Sequence, residues 1–148
     1  MKDGQMVDIT EKEITARRAV AVATLSAEKT TIEKIRDKSL TKGDALETAK
    51  VAGINAVKST PKMIIYAHPI KITSINFEFD ISAETIEIKC TVKTMDRTGV
   101  EMEALVGATV AALNIYDMIK SIDRQSQVTD IKLLEKSGGK SGEYVRKS

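Results

Sequence analysis

Tryptophan is absent from these 148 residues, aromatics reach only 3%, and there is a single histidine and a single cysteine. Scarce aromatics remove the base-stacking platform that single-strand nucleic-acid binders use. Lys plus Arg number 23 against 21 Asp plus Glu, so there is no bulk basic excess of the kind that grips phosphate backbones without regard to sequence. Cys90 has no partner for an internal disulfide, and no Cys-x-x-Cys pair exists to hold zinc or run redox chemistry. A reducing cytoplasm is the expected compartment. No uncharged stretch approaches the ~20 apolar residues that span a bilayer. The start, Met1-Lys2-Asp3-Gly4-Gln5-Met6-Val7-Asp8, has acidic residues and no apolar run, unlike a signal or transit peptide. The expectation is a soluble intracellular chain.

With 42% hydrophobic residues the chain suits one domain with a real core. An arm of about residues 1–14 and a Gly-rich tail of about 136–148 are expected to be mobile. Arg18 to Leu25 is small and β-branched, fitting a strand packed on both faces or a short edge element. Ser26 is placed to cap a helix over about Ala27 to Lys38, with Ile32 and Ile35 inward. Thr41-x-x-Asp44 has capping-box spacing and predicts a second helix from near Gly43 to about Ser59, stopped by Pro61. Its Ala45, Ala49, Ala52, Gly53 and Ala56 make a smooth face.

Thr85 to Met95 is the clearest strand, with Ile86, Ile88, Cys90 and Val92 alternating with polar residues. Before it, Ile70 and Ile72 keep an even phase and Ile75, Phe77, Phe79 and Ile81 an odd one, which predicts a bulge near Ser74. Ser82-Ala83-Glu84 then closes an antiparallel hairpin. Residues 101 to 120 predict a long amphipathic helix with an inward stripe of Met102, Leu105, Val106, Ala112, Leu113 and Tyr116, and Thr109 between them satisfied on the preceding turn's carbonyl. A last strand runs from Val128 to Glu135. This order implies an α+β fold, a ferredoxin-like antiparallel sheet with helices on one face.

Several residues stand where chemistry is possible. Lys42 lies at a predicted helix N-terminus, where backbone N–H groups favour anions; an ordinary solvated lysine fits the same position. His68, held extended by Pro69, belongs on a connection where functional groups are often presented. As a lone histidine without a thiolate pair, it argues against a transition-metal site. Asp117 and Lys120 lie one turn apart, either as a surface salt bridge or as a partly buried acid–amine pair for proton transfer. Glu101 and Glu103 complement the same helix's N-terminal dipole. Residues 103 and 117 stand fourteen apart, roughly 21 Å along one helix, so they cannot share one reacting atom. Gly139-Lys140-Ser141 ends like a P-loop, but Leu134 stands where the first glycine is required. The tail remains a candidate flap, with Lys136 and Lys140 reaching an anion.

Met6-Val7-Asp8-Ile9, Thr15-x-Arg17-x-Ala19-x-Ala21, Lys42-Gly43-Asp44, Ala52-Gly53-Ile54, His68-Pro69, the run Thr98 to Leu105, Ile115-Tyr116-Asp117-Met118-x-Lys120 and Lys136 to Gly142 occur in an order that resembles the cyclic pyranopterin monophosphate synthase family, the C protein of molybdenum cofactor biosynthesis. The resemblance implies a cytoplasmic lyase that takes 3',8-cyclo-7,8-dihydro-GTP to cyclic pyranopterin monophosphate and releases pyrophosphate. It assigns Asp117 as catalytic, with Lys42 and Lys120 among the functional lysines and a general acid/base role expected for them. Substrate binding is implied for Tyr66, Ala67, His68, Glu101, Met102, Glu103 and Lys136, with Arg17 and Lys140 also candidates. No cofactor or protein-held metal is expected, although Mg2+ can accompany the triphosphate. The family resemblance also implies hexamers built as three dimers, with sites at subunit interfaces. Two departures are Ala67, where many members have Cys, and Leu40-Thr41, where some have histidines. Fold alone would equally allow a nucleotide-sensing module or a structural subunit.

Overall fold

Small, β-branched residues carry the chain through the middle of the sheet. In the computed structural model, which describes residues 3–147, strand β1 (Thr15–Ser26) pairs antiparallel with later strands on both sides. Ala19, Ala21 and Ala23 on one face and Val20 and Val22 on the other are almost inaccessible, so β1 is a central strand and not an edge. It is followed by α1 (Lys29–Arg36), α2 (Ala45–Met63), β2 (Ile72–Ile81), β3 (Thr85–Asp96), α3 (Glu101–Ile119), β4 (Gln127–Ser137) and β5 (Tyr144–Val145), with sheet order β2-β3-β1-β4-β5. Leaving aside the extra α1 and the two-residue β5, this is the βαββαβ ferredoxin-like arrangement. The expected arm precedes β1 and contains no helix or strand over residues 3–14; its first two residues, and Ser148 of the tail, lie outside the described residues.

The predicted bulge is present. The register of β2 on β3 slips between Ile72 and Ser74, which lets both phases of apolar residues face the helices. Ser82 N–H closes the hairpin onto the Thr85 carbonyl at 2.8 Å. β4 reaches Ser137, so Lys136 belongs to the sheet. Gly138 and Gly139, at φ +96° and +78°, then turn the chain so that Tyr144 and Val145 pair back on Lys136 and Glu135.

The expectations for each of the three helices need correction. Ser26 is the last residue of β1, and α1 begins after Glu28 with no cap from its own side chains; instead the Asp123 carboxylate, after α3, accepts the Glu28 N–H at 2.8 Å. Asp44, not Thr41, caps α2, accepting from Leu46 N and Glu47 N at 3.1 Å each. Pro61 does not stop that helix. It sits in the last turn before Met63, where its missing N–H removes a single terminal hydrogen bond.

The third correction concerns α3. Its buried face is Ala104, Gly107, Ala108, Ala111, Ala112 and Ile115 with Met118 and Ile119. Of the predicted stripe only Ala112 is inside, while Met102 and Leu113 are 37% and 50% exposed and Leu105, Val106 and Tyr116 are half-buried. The physical reason is closeness of approach. The alanines of β1 and the small face of α2 admit a helix that also presents Ala and Gly, and the larger residues are left outward. Thr109 Oγ1 does donate to the Leu105 carbonyl, at 2.7 Å. By length and composition α3 could cross a membrane, yet half of it is core.

A Cβ on Gly107 would stand 2.6 Å from Val57 Cγ2 and 2.8 Å from Cys90 Sγ. Gly107→Val should therefore destabilise the fold by about 2 kcal/mol or more through overpacking. This would be read as a lower urea midpoint; an unchanged midpoint would contradict the packing.

Candidate active site

The two ends of α3 carry different chemistry. At its C-terminal end Asp117 Oδ1 takes Lys120 Nζ at 2.9 Å, and Asp117 Oδ2 takes Lys42 Nζ at 3.3 Å. Lys42 also donates to the Asp117 carbonyl at 3.1 Å. The turn Leu40–Gly43 before the Asp44 cap aims Lys42 at the helix end, where carbonyls and the dipole favour a cation. Two lysines 75 and 3 residues away in sequence thus converge on one carboxylate within a single chain, and neither needs another copy to meet the other.

This pair is not withdrawn from water inside the chain, contrary to the buried acid–amine expectation: Asp117 and Lys120 side chains are 56% and 55% exposed. Hydrogen bonds from Lys120 and then Lys42 hold the Asp117 carboxyl below the usual carboxylate range. The Asp117 hydrogen bond in turn raises Lys120 above an ordinary lysine. Lys120 is thereby kept as a cation, a state suited to donating a proton or meeting an anion more than to accepting a proton.

At the N-terminal end lies a cavity of about 320 Å³, walled by Tyr66, Ala67 and His68 from the connection after α2, by Thr98 to Glu103 at the start of α3, and by Val7, Ile9 and Lys12 from the arm. His68 Nε2 lies 2.7 Å from the Val7 carbonyl; since a carbonyl only accepts, Nε2 carries the proton there. Glu101 bonds Lys136 Nζ at 2.8 Å, tying the cavity to β4. Gly99 makes room for that carboxylate, because a Cβ there would collide with it. Glu103 is only 3% exposed. Burial first, and the neighbouring Glu101 charge to a smaller degree, push it up to about 7. It can exchange a proton near neutrality.

Beyond Lys12 a second cavity of about 320 Å³ holds Arg17, Lys140 and Gly139. Arg17 is 8% exposed and donates Nε to the Asp96 carbonyl at 3.1 Å, and its Nη1 lies directly under Gly139. A buried guanidinium beneath a glycine turn, with Lys12 and Lys140 beside it, can meet an anion, and the Glu11 and Glu13 carboxylates on the same lining offset part of that charge.

The structure therefore sorts the residues singled out by sequence into three groups. Lys42, Asp117 and Lys120 form one, Tyr66, Ala67, His68, Glu101, Met102, Glu103 and Lys136 another, and Arg17 with Lys140 a third next to it. It does not unite the first with the others, as the helix length requires. Sequence reasoning missed Lys12, Val7 and Ile9, whose place follows from how the arm folds back. Asp8-x-Thr10 carried a readable signal of that turn, since Asp8 Oδ1 accepts Thr10 N–H at 2.9 Å. Cys90 takes no part: it is buried in the core and pushed up to about 12 by that burial.

Because Glu103 in the folded chain holds its proton up to about 7 against an ordinary 4.5, the folded state binds more protons than the unfolded one between those values. Stability therefore falls as pH rises through that window, and the cost is complete above it. Glu103→Gln should flatten this slope and stabilise the protein at pH 8 by up to about 3 kcal/mol, with little change at pH 4. Urea midpoints at the two pH values check it, and parallel profiles for variant and parent would refute it.

Comparison with known proteins bears on what these groups serve. The family profile described as the MoaC family matches residues 6–139. A protein of Thermoanaerobacter pseudethanolicus named cyclic pyranopterin monophosphate synthase is 50% identical over 144 residues, covering 96% of this chain and 91% of its own length. One of the same name from Clostridium acetobutylicum is 48% identical over 144 residues, covering 96% and 89%. Another from Streptomyces griseus is 44% identical over 142 residues, covering 96% and 80%. A match of this extent, passing through every group of residues just described, means that the chain belongs to the MoaC family.

Proposed function

We propose that this protein is a cyclic pyranopterin monophosphate synthase of molybdenum cofactor biosynthesis, a phosphorus–oxygen lyase acting in the cytoplasm. It converts 3',8-cyclo-7,8-dihydro-GTP to cyclic pyranopterin monophosphate and pyrophosphate. The observation that carries this reading is α3 itself, which in a chain matching the family along its length bears a ring-sized cavity with an anion surface at one end and two lysines on one carboxylate at the other.

Tyr66, His68, Met102 and Glu103 hold the guanine-derived ring, and Lys136, Arg17 and Lys140 hold phosphate oxygens. Lys120, kept protonated by Asp117, donates a proton as the ring rearranges or as pyrophosphate departs from the phosphorus that closes the cyclic phosphate. Lys42 shares the same carboxylate and serves as second cation or proton carrier. Magnesium would arrive on the substrate's phosphates.

Since roughly 21 Å of helix separates the two ends, a complete site takes one end from each of two copies. The exposed Met102 and Leu113 of α3, with the half-buried Val106 beside them and Leu105 and Tyr116 packed partly against the core, support a two-fold pairing of α3 with α3 of a second copy. An antiparallel crossing centred near Val110, midway between Glu103 and Asp117, brings the Asp117 end of each helix to the Glu103 end of the other. Three such dimers make the proposed hexamer.

Purified protein given the cyclised dihydro-GTP should release pyrophosphate and form the cyclic pterin; binding without turnover would defeat the reading. Lys120→Ala should lower kcat by at least about 100-fold with the fold intact. Co-refolded Lys120→Ala and Glu103→Ala subunits should regain about a quarter of wild-type turnover, because half of randomly mixed dimers keep one intact site. The Lys120→Ala and Lys42→Ala mixture should regain none, because both changes strike the same half-site.

A further inference from the structure

Among the described residues Lys12 is the one that lines both the ring-sized cavity and the Arg17 cavity. Its place is set by the arm. His68 holds the Val7 carbonyl at 2.7 Å, Asp8 closes on Thr10, and Lys12 N–H returns to the Ile9 carbonyl at 3.0 Å, so a short turn delivers Lys12 to the seam between the two spaces. Glu11 and Glu13 flank it in sequence, yet among the described residues Lys12 forms no ion pair. On one side of the seam are Tyr66, His68 and Glu103, groups suited to a planar, hydrogen-bonding ring. On the other are the Arg17 guanidinium and Lys140 beside the Gly139 turn, groups suited to phosphate oxygens, with the Glu11 and Glu13 carboxylates lining the same cavity, so that Lys12 is what leaves its cations in excess. A substrate with a ring at one end and a phosphate chain at the other must cross the seam at Lys12.

We propose that Lys12 is a further substrate-binding residue, whose ammonium grips the phosphate chain where it leaves the ring cavity for the Arg17 cavity. This rests on the substrate being a cyclised nucleoside triphosphate, as above. A lysine on a flexible stem serves as a compact, mobile point charge that can follow the phosphates without fixing a bidentate geometry. Its grip is on substrate and on the departing pyrophosphate alike, so its loss raises KM far more than it lowers kcat.

The test uses the full chain as wild type, Lys12→Ala, Lys12→Arg and, as a control on the exposed face of α2, Lys50→Ala. Lys12→Ala should raise KM for the cyclised dihydro-GTP roughly tenfold, with kcat within about threefold, as expected for one lost charge-assisted contact. Inhibition by added pyrophosphate should weaken by a similar factor, Lys12→Arg should restore most of both, and Lys50→Ala should change neither. If Lys12 only balances the charge of Glu101 and Glu103, KM rises while pyrophosphate inhibition is unchanged, and the proposal is overturned. Calorimetric titration with pyrophosphate alone separates this proposal from the wider reading. Equal pyrophosphate affinity in wild type and Lys12→Ala defeats the role of Lys12, whereas a wild type that does not turn over substrate defeats the functional assignment.

Discussion

The close seating of α3 on β1 and α2 is the constraint on which the rest depends. Ala19, Ala21 and Ala23 of β1, Ala45 and Ala49 of α2, and Ala104, Ala108 and Ala111 of α3 belong to one core, while the space beside Gly53 of α2 is taken by the Phe77 ring of β2. Gly107 fits against Val57 and Cys90 with no space for another carbon. Interiors at native density transmit displacements instead of absorbing them. The depth at which α3 lies thus decides where both of its ends fall. One end meets the Lys42 turn that leads into α2, and the other meets the Tyr66–His68 connection that leads out of it. The same seating leaves Met102 and Leu113 exposed, so one packing choice makes the core, fixes the position of both residue groups and leaves apolar surface on α3.

The electrostatics of the two ends are opposite in kind. Glu103 is deprived of water and partnered mainly by its own backbone N–H, so its charged form is disfavoured. Asp117 stands in water with a cation on each oxygen, so its charged form is favoured. Neither state follows from residue type or from position in the helix, since both are carboxylates within the same α3. Depth and partners make the difference, and both are consequences of how α3 is seated.

What the sequence disclosed, and what it did not, divides along the same line. Period-two alternation is local, and it located β3, the hairpin and even the slip at Ser74, because a change of phase has only one cheap structural solution. The inward face of α3 is not legible in this way, because size is a poor sign of burial where the partner surfaces are themselves small. The caps misled in a similar way: Ser26 looked like a cap, but the group that serves α1 is Asp123, 95 residues from Glu28. At the candidate site, Asp117 with Lys120 was visible as an i,i+3 pair. The addition of Lys42 to that pair depends on long-range folding that no spacing announces, and although Asp8-x-Thr10 signals the turn before Lys12, its docking beside the two cavities does too.

The opposed shifts become meaningful together if α3 pairs with α3 of a second copy. A carboxyl that changes protonation near 7 would then face a lysine held protonated by its own aspartate. Groups whose environments push their proton affinities apart are how one site carries out both donation and acceptance at a single pH. Bringing Glu103 towards the Lys120 cation would also draw the acid back down, since an opposite charge nearby favours the ionised form. Formation of the pair of copies would in this way alter the acid and the amine together. A chain that keeps these groups about 21 Å apart on one helix cannot bring them to one reacting atom by itself, and under the proposed pairing a second copy would supply the other half.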